Sequence, residues 1–151
     1  MNELRTILLA EDNPNDVELT LAALAEHNIA NQVFVASDGE QALDYLCQRG
    51  PFKERMAGNP AVVLLDLKMP KIDGLEVLCA IKKDDRLKNI PVVMLTSSRE
   101  EQDLLRSYQL GVNAYVVKPV DFQSFMDAVK QIGAFWALYN EPPPGSVQPG
   151  H

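Results

Sequence analysis

Hydrophobic residues fall along the chain in short runs that alternate with longer amphipathic stretches. The runs TILLA (6–10), QVFVA (32–36), AVVLLD (61–66), PVVMLT (91–96) and AYVV (114–117) are brief and rich in β-branched side chains, which predicts five strands. Helical periodicity fills the gaps. Residues 13–27 place Val17, Leu21 and Leu24 on one face, with Asn13 or Asp16 as cap and Pro14 in the first turn. Residues 37–48 carry Ala42, Leu43, Leu46 and Cys47, and residues 74–83 carry Leu75, Val77, Leu78 and Ile81. A more polar pattern over 99–111 stops at Gly111, and a long apolar one runs from 120 to 140. Five repeats of strand then helix result.

Strands that read as continuous apolar runs are those covered on both faces, as in a parallel sheet. Right-handed crossovers then lay helices on either side, so the expected fold is a doubly wound α/β domain. In such sheets the working site lies beyond the carboxyl ends of the strands. Residues 49–60 have no period and read as a long connection into the third strand. Residues 1–140 form the expected domain, and the Pro- and Gly-rich segment 141–151 reads as a flexible tail.

Composition narrows the function classes. The 151 residues are 46% hydrophobic and 23% charged, and 14 Lys and Arg against 21 Asp and Glu leave a net charge of −7. Such a surface repels phosphate backbones, which argues against nucleic-acid binding. Cys47 and Cys79 form no close pair and read as reduced, buried thiols. No apolar leader or membrane-length run occurs, so a cytoplasmic location is expected. The dinucleotide and Walker-type glycine motifs are absent, and with His27 and His151 as the two histidines a transition-metal site is not expected.

The strand ends carry the chemistry. The first delivers Glu11 and Asp12, the third Asp66, the fourth Thr96, and the fifth Tyr115, Lys118 and Pro119. Taken singly, each has an ordinary explanation as a solvated loop acid, a turn former or a surface lysine. Taken together at adjacent strand ends, three carboxylates demand a cation or a raised pKa. Oxygen ligands favour a hard cation such as Mg²⁺. With Lys118 as a fixed positive charge and Thr96 as a neutral donor, the set suits stabilising a phosphoryl group on a carboxylate oxygen.

These residues resemble the receiver domain of two-component response regulators. The matching pieces are LLAEDN with Glu11 and Asp12, LLDLKMPKIDG with Asp66, Pro70 and Gly74, VVMLTSS with Thr96, and AYVVKP with Tyr115, Lys118 and Pro119. Thr96 follows Asp66 by 30 positions and Lys118 follows Thr96 by 22, both spacings typical of the family. The resemblance spans about residues 5–139. It implies a five-stranded parallel (βα)5 flavodoxin-like fold with strand order 2-1-3-4-5. It further implies that Asp66 is the phosphoacceptor for a sensor histidine kinase. Asp12, Asp66 and the Lys68 backbone carbonyl would hold Mg²⁺, with Glu11 acting through a bound water. Lys118 and Thr96 would contact phosphoryl oxygens, and Tyr115 would change rotamer with Thr96. Such a protein is a switch and not an enzyme, beyond slow self-catalysed dephosphorylation.

Two features depart from the commonest family pattern: the 54 positions between Asp12 and Asp66, and the extension of the last helix into GAFWALYN. With EDNPND at 11–16, they resemble the stand-alone receivers found with phytochrome-type kinases, which implies such a kinase as partner. Phe135, Trp136, Leu138 and Tyr139 make the end of the last helix apolar on nearly all sides. That end either folds back on its own core or joins a second copy, and a homodimer is the expectation, through the surface of the fourth predicted helix, fifth strand and fifth helix that the family resemblance implies. Lys68 and Ser98 would flank the route of an attacking water. The alternative, a small-molecule phosphatase with an aspartyl nucleophile, wants a second Asp where Lys68 stands. A flavin carrier of the same topology would not place AEDNPND against a phosphate.

Overall fold

A computed structural model describes residues 6–26, 32–55, 58–97, 108–109, 111–112, 114–118 and 122–131. Five strands, β1 (Thr6–Ala10), β2 (Gln32–Ala36), β3 (Val62–Asp66), β4 (Val92–Thr96) and β5 (Ala114–Val117), form one parallel sheet in the order β2-β1-β3-β4-β5. The helices are α1 (Pro14–Glu26), α2 (Gly39–Cys47), α3 (Gly74–Lys83) and α4 (Phe122–Gln131). The doubly wound fold and its strand order are therefore as the sequence implied. The predicted helix over 99–111 falls outside the described residues except at Tyr108, Gln109 and Gly111. Ser98, Pro119, His27, the apolar residues Phe135, Trp136, Leu138 and Tyr139, and the tail lie outside them altogether.

Side chains of a strand alternate between the two faces, and the core divides accordingly. Ile7, Leu9, Leu64, Val93, Leu95 and Val116 pack with Leu24 of α1 and Phe125 of α4. Leu8, Val63, Leu65 and Met94 pack on the other face with Leu46 of α2 and Leu78 of α3. Every residue of the central strand β3 is buried, whereas the edge strand β2 buries only Ala36. The two cysteines are free and half-buried, more exposed than expected.

Polar side chains set the helix starts. Asn13 Oδ1 accepts from the backbone N–H groups of Asn15 (2.9 Å) and Asp16 (3.2 Å), so Asn13 caps α1 and the Asp16 side chain is left for other work. Asp38 accepts from the Gln41 N–H at 2.7 Å and Asp73 from the Glu76 N–H at 2.9 Å, capping α2 and α3. The connection after α2 is tied down rather than loose. It opens with a 3-10 turn (Gly50–Phe52), and Phe52 packs edge-on to Phe34 and Tyr45. Arg55 lies 4.2 Å over the Tyr45 ring and donates from Nε to the Tyr45 carbonyl.

The loop leaving β3 is seated against backbone. The Gly74 N–H donates to the Leu67 carbonyl at 2.8 Å, and a Cβ at Gly74 would overlap the Asp66 carbonyl oxygen and Leu67 Cα. Gly74→Ala is therefore expected to lower stability by on the order of 2–3 kcal/mol, because neither neighbour is a movable side-chain tip. A urea titration reads this as a lower midpoint, and an unchanged midpoint would refute the close approach.

Candidate functional site

Register brings the strand-end residues together. Ala10 pairs with Leu65, Asp66 with Leu95 and Thr96 with Val117, so the next residues along β1, β3 and β5 are neighbours at one edge. Face parity selects among them. Glu11, Asp66 and Lys118 stand two positions beyond Leu9, Leu64 and Val116, all members of the core cluster under α1 and α4. Glu11 is 2% exposed and Asp66 5%.

Lys118 is the hub. Its Nζ donates to Glu11 Oε1 at 2.6 Å and to Asp16 Oδ2 at 2.9 Å, and lies 3.3 Å from Asp66 Oδ1. An ammonium has three N–H groups, and three carboxylates surround this one. The Lys118 side chain is 11% exposed. Burial disfavours its charge, but the hydrogen bonds it donates to Glu11 and Asp16 and the charges of Asp66 and Glu11 outweigh burial and raise its pKa. The second oxygen of Glu11, Oε2, accepts from the Asn13 N–H at 3.2 Å.

The acidic groups are crowded. Glu11, Asp12 and Asp66 each offer an oxygen, and these oxygens lie within 4.8 Å of one another. Asp66 responds with a pKa pushed up to about 7, first by burial, then by the shared hydrogen bond and charge of Glu11, with Lys118 opposing. Glu11, Asp16 and Asp66 contact the one ammonium, and Glu11, Asp12 and Asp66 form an oxygen-only trio beside it. This oxygen-only set with excess negative charge fits a hard divalent cation.

The structure thus brings Glu11, Asp12, Asp66 and Lys118 into one site. Lys68 is exposed on the loop two residues past Asp66, and Tyr115 packs half-buried on the opposite face of the sheet, against the cluster under α2 and α3. Thr96 ends β4 beside Asp66, and its side chain lies outside the description. Asp16 was missed as a site residue. Its signal was available, because Asp16 sits four positions before buried Thr20 on the inward stripe of α1, one turn from the sheet's carboxyl edge.

The chain is similar throughout to known signalling proteins. A model of the response regulator receiver domain matches residues 7–130. The solved structure of the bacteriophytochrome response regulator AtBRR is 64% identical, covers 93% of this chain and 100% of its own, and superposes with a TM-score of 0.85. Bacteriophytochrome response regulator RtBRR is 58% identical over 95% of this chain and 87% of its own, with a TM-score of 0.84. Response regulator Rcp1 of Synechocystis is 38% identical over 89% of this chain and 90% of its own sequence. Its Mn²⁺-bound crystal structure covers 91% of this chain and 97% of its own, with a TM-score of 0.74.

The raised Asp66 pKa makes a signed pH prediction. An unfolded Asp ionises near 4, roughly, so between about pH 4 and 7 the folded chain holds a proton that the unfolded chain has released. This group's contribution to stability therefore falls as pH rises through that window. Asp66→Asn removes the dependence while keeping donors and acceptors for Glu11 and Lys118. In chelator at pH 8 the variant is expected to melt about 3 °C or more above the wild type, with the gap closing by pH 5. Equal melting temperatures at pH 8 would refute the crowding.

Proposed function

The chain belongs to the response regulator receiver family, and from that premise we propose that Asp66 accepts a phosphoryl group from a phytochrome-type sensor histidine kinase. One observation carries the reading. Asp66 ends the fully buried central strand 3.3 Å from Lys118, within an oxygen trio that fits a divalent cation. The similarity to two bacteriophytochrome response regulators supports the kinase class.

In the reaction, an Asp66 oxygen attacks the phosphorus of a phosphohistidine. The new O–P bond forms as the N–P bond breaks, and the imidazole nitrogen leaves with the bonding pair. Mg²⁺ held by Asp12, Asp66 and the Lys68 carbonyl, with Glu11 nearby, would supply charge that keeps Asp66 ionised and offsets the phosphoryl oxygens. That the similar protein Rcp1 has been solved in a Mn²⁺-bound form supports a divalent ion as the cofactor. Lys118 is positioned to meet a phosphoryl oxygen with the N–H now turned to Asp66. The β3 and β4 backbones hold Asp66 and Thr96 at one edge, which allows Thr96 to act as the second donor.

The product adds up to about two negative charges to a site already rich in them. That charge change is the signal, read through Thr96 and Tyr115 as altered protein contacts. The chain on this reading acts as a phosphoacceptor and not as an enzyme turning over an external substrate.

With acetyl phosphate and Mg²⁺, the wild type is expected to take up one phosphoryl group and Asp66→Asn none, measured by intact mass or phosphate-affinity electrophoresis. Chelation should abolish the reaction, and Lys118→Ala should slow it by roughly 100-fold. Equal labelling of wild type and Asp66→Asn would end the proposal.

A further inference from the structure

Lys118 is held by two carboxylates besides Asp66, and the two differ in what else they do. Glu11 is shared. Its Oε1 accepts from Lys118 at 2.6 Å, and it also belongs to the acidic trio with Asp12 and Asp66. A cation in that trio draws on the same carboxylate that grips Lys118 most closely. Asp16 has no such conflict. Its Oδ2, on α1, accepts from Lys118 at 2.9 Å and is not part of the trio.

The backbone under Asp16 is tied in place. Its N–H donates to the Asn13 side chain at 3.2 Å, and its carbonyl accepts from the buried Thr20 hydroxyl at 2.8 Å. The side chain is 29% exposed, so the 11% exposed Lys118 is met by a carboxylate nearer the solvent than Glu11 is. A lysine stem has four rotatable bonds, and its ammonium holds a direction only when its other donors are occupied.

Resting on the phosphoacceptor reading, we infer that Asp16 is a positioning residue: it anchors Lys118 so that one N–H faces Asp66, independently of the Glu11 carboxylate that the cation site would share. Asp16 touches neither the phosphoryl group nor the metal and acts through Lys118. The first turn of α1 thereby sets how firmly the site grips a phosphoryl group. It does not set how tightly the site holds its cation.

The test uses the full chain and two titrations by calorimetry, Mg²⁺ alone and then beryllofluoride, a phosphoryl mimic, at saturating Mg²⁺. Asp16→Asn is expected to leave Mg²⁺ affinity within about twofold and to weaken beryllofluoride by about tenfold, the scale of one charge-assisted hydrogen bond. Asp16→Glu should recover at least half of that loss on a logarithmic scale, with all three proteins melting within a few degrees of one another. Unchanged or tighter beryllofluoride binding in Asp16→Asn would overturn the inference, as would a parallel loss of Mg²⁺ affinity. If the wild type itself fails to bind beryllofluoride, the phosphoacceptor reading falls and takes this inference with it. Normal wild-type binding with an unaffected variant removes the inference alone.

Discussion

Glu11 and Asp66 are pressed into a nearly dry sheet edge with one ammonium, Lys118, to hold them. That arrangement is under tension from its own charges. A buried carboxylate ionises only if a cation faces it, and here Glu11, Asp66 and Asp16 all turn to the same one. Asp66 pushed up to about 7 expresses the shortage directly. The excess of carboxylates over cations leaves room for more positive charge, which is what the proposed function asks of the site. Sheet order, strand register and the packing of α1 all serve to hold these groups at contact distance.

The scaffold opposes relaxation of that crowd. Asp66 cannot swing away, because β3 is buried along its whole length between two core clusters. Behind it, Gly74 lies against the Asp66 carbonyl and Asp73 caps α3, which fixes the path of the loop. On the far side of the loop Lys71 takes a left-handed conformation (φ 67°) and pairs with Asp38 and Glu40 of the α2 start. Gly39 admits the Ile72 carbonyl at the same place. Exposed ion pairs of this kind contribute little energy singly. Their effect is on geometry, since α2 and the β3–α3 loop meet backbone to backbone.

This rigidity connects to signalling. On the proposed function, a new charge at these stiff strand ends would be met by groups that have alternative partners. Lys118 has three acceptors and can exchange one of them. Tyr115, three residues earlier on β5, packs against the opposite cluster, so one short strand touches both faces of the sheet. On the proposed function, that is the route by which a change at the site would reach the other side.

Much of this was legible in the residues. The five strand runs, the helical stretches and a cap at the start of the first helix follow local rules: periodicity, β-branching and side-chain capping act over a few positions, while the spacing of Asp66, Thr96 and Lys118 speaks through its resemblance to the receiver family. Those rules put Glu11, Asp12, Asp66 and Lys118 at the carboxyl ends of strands, and the strand order that makes those ends adjacent came from the family resemblance. They left Asp16 as a choice of helix cap, because Asn13 and Asp16 satisfy a first turn equally well on paper. Only the packed structure decided it. Asn13 takes the backbone donors, α1 turns its inward stripe to the sheet, and the freed Asp16 carboxylate meets a lysine 102 positions away. The tie of Arg55 and Phe52 onto Tyr45 was hidden for the same reason, since an aperiodic segment carries no sign of what it folds against. The sequence by itself determined the elements and the chemistry available at their ends. Which carboxylate faces which cation, and the pKa that follows, was decided by distances that exist only after the sheet and α1 have packed.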